Sequence, residues 1–183
     1  MEFFEQEYGK AVKSIDKYLV YLGTLTPSSL SVFRVSKGGV IYILKATIRD
    51  SEWSLNHLDT EANVLSLAKG LPAITHLVHD YKQISQETSN FERAILKEFF
   101  DGEMAEGISN SQVQKDLEET VKGIHSLGFA RLELKSKNII LSQDKSSAKI
   151  IDLGYCLKQS YLTPSEFDRL KYRDLKYLKI LFV

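Results

Sequence analysis

The stretch that decides the fold lies in the second half of the chain. It reads Phe129-Ala130-Arg131-Leu132-Glu133-Leu134-Lys135-Ser136-Lys137-Asn138, then Ile139-Ile140-Leu141, then Gln143-Asp144-Lys145-Ser146-Ser147, then Ala148-Lys149-Ile150-Ile151 and Asp152-Leu153-Gly154. Two short apolar runs around a polar turn predict a hairpin. Asn138 stands just before its first strand and Asp152 just after its second. Both are therefore expected at the open mouth, where opposed residues lie about 5 Å apart. Two oxygen-bearing side chains at that separation suit a hard cation such as Mg²⁺. Glu133 and Lys135 sit in the loop that enters the same mouth, so Glu, Lys, Asn and Asp are expected around one point.

Upstream, Ser111 and Gln114 predict a capping box, and Val113, Leu117, Val121 and Ile124 follow at helical spacing until Gly128. Downstream, Thr163-Pro164-Ser165-Glu166 predicts a second capping box with proline at the first helical position.

The first half reads as a mixed lobe. Phe4, Tyr8, Val12 and Ile15 predict a short amphipathic helix over 2–17. Strands are expected over 18–23, 31–35 and 40–47, with a loop over 24–30 and a hairpin turn at Lys37-Gly38-Gly39. On the third strand Ile41, Ile43 and Lys45 share one face. Leu55, Leu58, Ala62, Leu65 and Ala68 predict a helix over 54–69, stopped by Gly70, and Glu61 falls inside its apolar stripe. A carboxylate there needs a cation, and Lys45 needs an anion. If helix and strand pack together, each satisfies the other. Two more strands are expected over 74–84 and 92–100. Beyond Gly102 the pattern turns helical, which places a lobe boundary between 1–102 and 103–183.

Taken in order, these stretches resemble the protein-kinase-like superfamily. Ile124 to Leu141 looks like its catalytic loop, and Asp152-Leu153-Gly154 like its Asp-Phe-Gly metal motif. Lys45 and Glu61 look like the strand lysine and helix glutamate that organise nucleotide phosphates. Leu96-Lys97-Glu98-Phe99-Phe100-Asp101-Gly102 looks like the hinge that meets adenine through its backbone, which implicates Glu98 and Phe100. The resemblance implies an α+β, bilobal fold, with a small antiparallel-sheet lobe and a helical lobe. The chain after Asp152 is short, with no Ala-Pro-Glu element. That is similar to minimal atypical kinases: RIO-type kinases, the small kinase of the KEOPS complex and lipopolysaccharide core kinases. Asp174 resembles the family aspartate that braces the catalytic loop.

The implied function is ATP- and Mg²⁺-dependent transfer of the γ-phosphate to a hydroxyl, with protein Ser/Thr as the expected acceptor and sugar, lipid or small molecule left open. Lys45 would hold the phosphates and Glu61 would orient Lys45. Glu133 would position or deprotonate the acceptor, Lys135 would neutralise developing charge, and Asn138 and Asp152 would bind the metal. Two departures bear on this. Glu133 and Arg131 stand where the family has Asp and His. The glycine-rich loop is replaced by 24–31, in which Ser28 and Ser29, with Ser31, are the expected phosphate contacts, while Pro27 removes a backbone donor. Two rival readings follow: a pseudokinase binding or scaffold module, and an ATPase switch inside a larger assembly. The truncated second lobe implies a protein partner.

Composition sets the outer bounds. The chain has 183 residues, 43% of them apolar and 26% charged, with a formal net charge of zero. Direct nucleic-acid binding is therefore not implied. One cysteine, Cys156, excludes an intrachain disulfide and a multi-cysteine zinc site. Met1-Glu2-Phe3-Phe4-Glu5 is acidic where a signal peptide would be basic. The uncharged run 18–33 is broken by Gly23 and Pro27, so no membrane span is expected and the expected location is cytoplasmic. His125 and Cys156 are expected to be structural. His76 and His79 fall in a strand-like stretch, which does not suit the helical spacing of a metal pair.

Overall fold

The computed structural model describes residues 2–26, 30–48, 51–82, 84 and 89–183, with side chains from residue 6 onward. The architecture is α+β. The helices are α1 (Glu2–Ile15), α2 (Glu52–Leu67), α3 (Ser111–Ser126) and α4 (Pro164–Ile180). The strands are β1 (Val20–Thr26), β2 (Leu30–Lys37), β3 (Val40–Ile48), β4 (Leu77–Tyr81), β5 (Phe91–Glu98), β6 (Glu103–Met104), β7 (Phe129–Ala130), β8 (Ile139–Leu141), β9 (Ala148–Ile150) and β10 (Leu157–Lys158). The chain divides into two compact units. One comprises Met1–Ala62 with His76–Phe99, the other Asn63–Thr75 with Phe100–Val183. The change falls between 99 and 100, and a segment beginning inside α2 groups with the second unit. Ala73 and Thr75 explain why, since both exchange backbone hydrogen bonds with Ile150.

The first unit is built on a five-stranded antiparallel sheet of order β1-β2-β3-β5-β4. β1 continues through Thr26, where the sequence suggests a loop from Thr24. Two irregularities, between Tyr21 and Gly23 and between Thr24 and Thr26, keep it paired with β2. Expected strand 74–84 shortens to β4, and Ile74 makes only an isolated bridge with Ile150. One sheet face carries the core. Phe33, Val35, Leu44, Ala46, Ala94 and Leu96 are buried there, with Val12 of α1 and the partly buried Tyr8 and Ile15 against them. Tyr8 and Phe91 flank Phe33 at ring-centroid distances of 5.5 and 5.8 Å. Burying a side chain such as Phe33 stabilises by about 1.5–3 kcal/mol. Phe4, expected on the same helix face, has its side chain outside the described residues. At the end of α1, Asp16 accepts from Tyr18 N, Lys37 Nζ and Tyr81 Oη at 2.9, 2.8 and 2.8 Å. These bonds fasten the helix end to β2 and β4.

In the second unit α3 starts differently from expectation. Its N-cap is Asn110, whose side chain accepts from Gln112 N and Val113 N, and Ser111 is already helical. Gln114 donates instead to Ile108 O at 2.6 Å, so Ser111 and Gln114 form no capping box. Asn110 wins because it holds the extended backbone of a cap, from which its side-chain oxygen reaches the orphan N–H groups of the first turn, while Ser111 is already inside the helix. The expected box at Thr163 is present, with both reciprocal bonds to Glu166 and Pro164 opening α4. β8 is the centre of a three-stranded sheet β6-β8-β9, and β7 pairs with β10. Gly102 packs so close to β8 that a Cβ there would collide with the Leu141 carbonyl. Among the described residues no helix is long and apolar enough to cross a membrane.

Candidate functional site

In the first unit the sheet face opposite the core positions the charged residues. β-pairing sets Val32, Lys45 and Ile95 in one row, and Arg34, Ile43 and Lys97 in the next. Lys45 and Lys97 are thus diagonal neighbours on one face. The 52–62 part of α2 lies over that face, burying Ser54, His57, Leu58, Glu61 and Ala62. Ile41 shares the face but stays exposed, so the apolar run expected to end in Lys45 is only partly covered. Lys45 Nζ donates to Glu61 Oε2 at 2.7 Å. Lys97 Nζ pairs with the other oxygen, Glu61 Oε1. Glu61 is 0% exposed, Lys97 2% and Lys45 7%. Burial of a lone carboxylate costs several kcal/mol, and two ammonium partners offset that here.

A second tether missed in the sequence fixes the same helix. Arg93 Nε donates to Asp59 Oδ1 at 2.8 Å, and Arg93 Nη1 pairs with Asp80 and donates to Ala94 O at 2.7 Å. Of the residues expected to form a hinge, Glu98 ends β5, which stops two residues short of the strand expected to run to 100. The Glu98 N–H donates to His76 O at 2.9 Å, and its Oε2 accepts from His76 N at 3.1 Å. Glu98 and Phe100 are both half-buried. Ser28 and Ser29 lie outside the described residues. His79 is in β4 and His76 just before it.

In the second unit the loop between β7 and β8 alternates. Leu132 and Leu134 are buried, while Arg131 and Glu133 are less covered and Lys135 is exposed. Arg131 and Glu133 adopt φ of 63° and 50°, the left-handed region that costs a non-glycine residue about 1–2 kcal/mol. Asp174 holds this shape. Its carboxylate accepts from Arg131 N at 2.8 Å and Leu132 N at 3.0 Å, and His125 Nε2 lies 3.0 Å from Oδ2. Asp174 is 1% exposed, so these bonds are made away from water. The bracing role that the resemblance implies for Asp174 therefore has a physical basis, and His125 is a structural member of the same knot.

Glu133 and Lys135 meet, with Lys135 Nζ on Glu133 Oε2 at 2.9 Å. That hydrogen bond pushes the Lys135 ammonium pKa up. Asn138 closes a short 3₁₀ turn, Ser136–Asn138, and its Nδ2 donates to Glu133 O at 2.9 Å. The carbonyl Oδ1 is the end of that amide that can meet a cation. The hairpin mouth is shifted by one residue from expectation. Ile139 pairs with Ile150, and Ile151 N donates to Asn138 O at 2.9 Å, so Asn138 stands opposite Ile151. Asp152 lies one step further on, where its Oδ1 accepts from Gly154 N at 3.4 Å. The structure thus ties Glu133, Lys135 and Asn138 together by hydrogen bonds, with Asp152 following in the chain that leaves β9. Both Asn138 and Asp152 offer hard oxygen donors, the chemistry that suits Mg²⁺.

No protein-family model matches this chain, and no curated protein matches it.

Proposed function

We propose that this chain is an ATP- and Mg²⁺-dependent phosphotransferase of the minimal atypical-kinase type, in the protein-kinase-like superfamily, acting on a hydroxyl acceptor with protein Ser/Thr as the expected class. The observation that carries the reading is the buried ion pair between Lys45 and Glu61. A lysine held by a helix carboxylate on a sheet face is a preformed phosphate holder, because the carboxylate fixes where the ammonium stands. In this reading Lys45 holds the phosphates and Glu61 orients it. Glu98, at the end of β5, and Phe100, two residues beyond it, would meet the adenine. In the second unit Glu133 orients the acceptor hydroxyl and receives its proton, and Lys135 faces the developing charge. Asn138 and Asp152 would hold the metal, which would neutralise charge on the transferring phosphate. The test is γ-phosphate transfer and release with Mg²⁺, using Asp152→Ala as control. Metal-dependent transfer that this substitution abolishes supports the reading; ATP binding that ignores both metal and Asp152 sinks the metal assignment.

A second reading is a pseudokinase module that binds nucleotide without transferring phosphate. What favours it is Glu133 itself, whose carboxylate is already paired with Lys135 and whose backbone is left-handed. Nucleotide binding with no transfer to any acceptor and no release of phosphate selects this reading. Release of phosphate without transfer selects an ATPase switch.

A further inference from the structure

The first-unit cluster contains a residue that the phosphate-holding role of Lys45 does not require. Lys97 approaches Glu61 from β5, while Lys45 approaches from β3. The two strands are neighbours, and the register places Lys97 opposite Ile43, two residues from Lys45 along β3. A carboxylate bound through one oxygen alone can still swing about its terminal bond. One bound through both oxygens, to groups on two fixed strands, cannot. Lys97 is 2% exposed, less than Lys45 at 7%. It is therefore poorly placed to meet a ligand and well placed to hold Glu61.

We infer that Lys97 is a positioning residue for a phosphate-binding site: by holding Glu61 Oε1 it fixes the orientation in which Glu61 Oε2 presents Lys45 to the phosphates of a nucleotide. The inference rests on the nucleotide reading proposed above. Lys97 acts on phosphate only through Glu61 and Lys45. Its removal therefore affects ligands in proportion to their phosphate content, and has no effect once Lys45 is gone.

The experiment is a double-mutant cycle on the full chain, read by calorimetry with ATP and with adenosine. Lys97→Met keeps the length of the side chain and removes its charge. The expected result is about a tenfold loss in ATP affinity, the usual cost of weakening one hydrogen bond to a charged group. Adenosine affinity stays unchanged, and Lys97→Arg restores most of the ATP affinity. Lys45→Met loses at least as much, and the double variant binds ATP no worse than Lys45→Met alone. Where Lys97→Met does not fold, Lys97→Gln, a shorter neutral donor to Glu61, enters the same cycle. Additive losses overturn the inference, because Lys97 would then meet phosphate directly. Equal losses for ATP and adenosine also overturn it, because Lys97 would then be a packing residue. ATP binding that responds to Lys45→Met and not to Lys97→Met removes the inference and leaves the nucleotide reading standing. A starting protein that binds neither ligand removes both.

Discussion

Arg93 of β5 donates its Nε to Asp59 of α2 across 2.8 Å, and so ties the sheet to the helix two residues before Glu61. The two ends of this pair differ in environment. The Arg93 side chain is 6% exposed, the Asp59 side chain 54%. Removing the exposed partner should cost little, about 0.5–1 kcal/mol. Removing Arg93 also takes from Asp80 its ion-pair partner and from the Tyr81 and Ala94 carbonyls a donor, so Arg93→Met should cost about 2–4 kcal/mol. Urea denaturation of Asp59→Ala and Arg93→Met checks the order. Equal losses would mean that the tether, rather than the buried guanidinium, sets the energy.

Glu61 should be harder to replace than either. Glu61→Ala leaves two buried ammonium groups without the carboxylate that joins them. Breaking a buried pair by removing one partner costs roughly 3–5 kcal/mol. The fall in unfolding free energy is the readout. A loss below 1 kcal/mol would show that solvent enters the cluster freely.

Asp174→Ala should loosen the loop at a defined place. The change strips two backbone N–H groups, Arg131 and Leu132, of their acceptor, and His125 of its partner. Buried donors left unsatisfied cost about 1–3 kcal/mol each. Amide exchange at Arg131 and Leu132 should accelerate by more than that of α3. Uniform acceleration along the chain would point to global destabilisation instead. Asp174→Asn, which still accepts hydrogen bonds, should fall between.

Much of this arrangement was legible in the sequence because it is carried by period and by caps. Lys45 and Glu61 stood out as charges on apolar faces, and Thr163-Pro164-Ser165-Glu166 is a local signal that needs no partner. What was not legible depends on register. Strand pairing alone puts Lys97 diagonal to Lys45, and it also sets Asn138 against Ile151 rather than Asp152. A one-residue slip leaves composition and spacing untouched and moves every side chain to the other face. The Asn110 cap was masked for a similar reason. Two adjacent residues, Asn110 and Ser111, can each serve, and the direction of chain entry decides between them. Left-handed backbone at Arg131 and Glu133 carries no signal either, because neither residue type favours it.

Stability should fall at both ends of the pH scale through one contact, Tyr81 with Asp16. Burial alone would raise the Asp16 pKa, but hydrogen bonds from Lys37, Tyr18 and Tyr81 outweigh it and bring it below 3.8. Folded Asp16 thus binds its proton less readily than unfolded Asp16. Its contribution is complete above the unfolded value and is lost as pH falls through the lower folded value. Tyr81 moves the other way. Burial, then the hydrogen bond to Asp16, raises its phenol above the ordinary 10.0. That contribution is complete below the unfolded value and is lost as pH rises through the folded one. Tyr81→Phe should lower Tm at neutral pH. The gap from the starting protein should begin to narrow as pH falls below the ordinary carboxylate value of 3.8, and again as it rises above the ordinary phenol value of 10.0. A gap constant across both limbs would show that the contact does not depend on charge.

Glu133 offers a test in which stability and activity move in opposite directions. Its φ of 50° puts a Cβ in the left-handed region, at a cost of about 1–2 kcal/mol, while glycine adopts that region freely. Glycine gives part of this back through the entropy of the unfolded chain, so Glu133→Gly should stabilise by about 0.5–1 kcal/mol. The ion pair with Lys135 is solvent-facing and its loss changes the balance little. Asp tolerates the left-handed region better than Glu, so Glu133→Asp should be neutral to stabilising. If the chain transfers phosphate, Glu133→Gly and Glu133→Gln should both abolish transfer and leave ATP affinity intact, since an interaction made mainly in the transition state sets kcat. Glu133→Asp should retain transfer. Denaturation midpoints and transfer rates on the same four proteins decide the matter. Loss of stability on Glu133→Gly would mean that the carboxylate, and not the backbone, is the reason for glutamate here. Transfer or hydrolysis that survives Glu133→Gln would remove this residue from the chemistry.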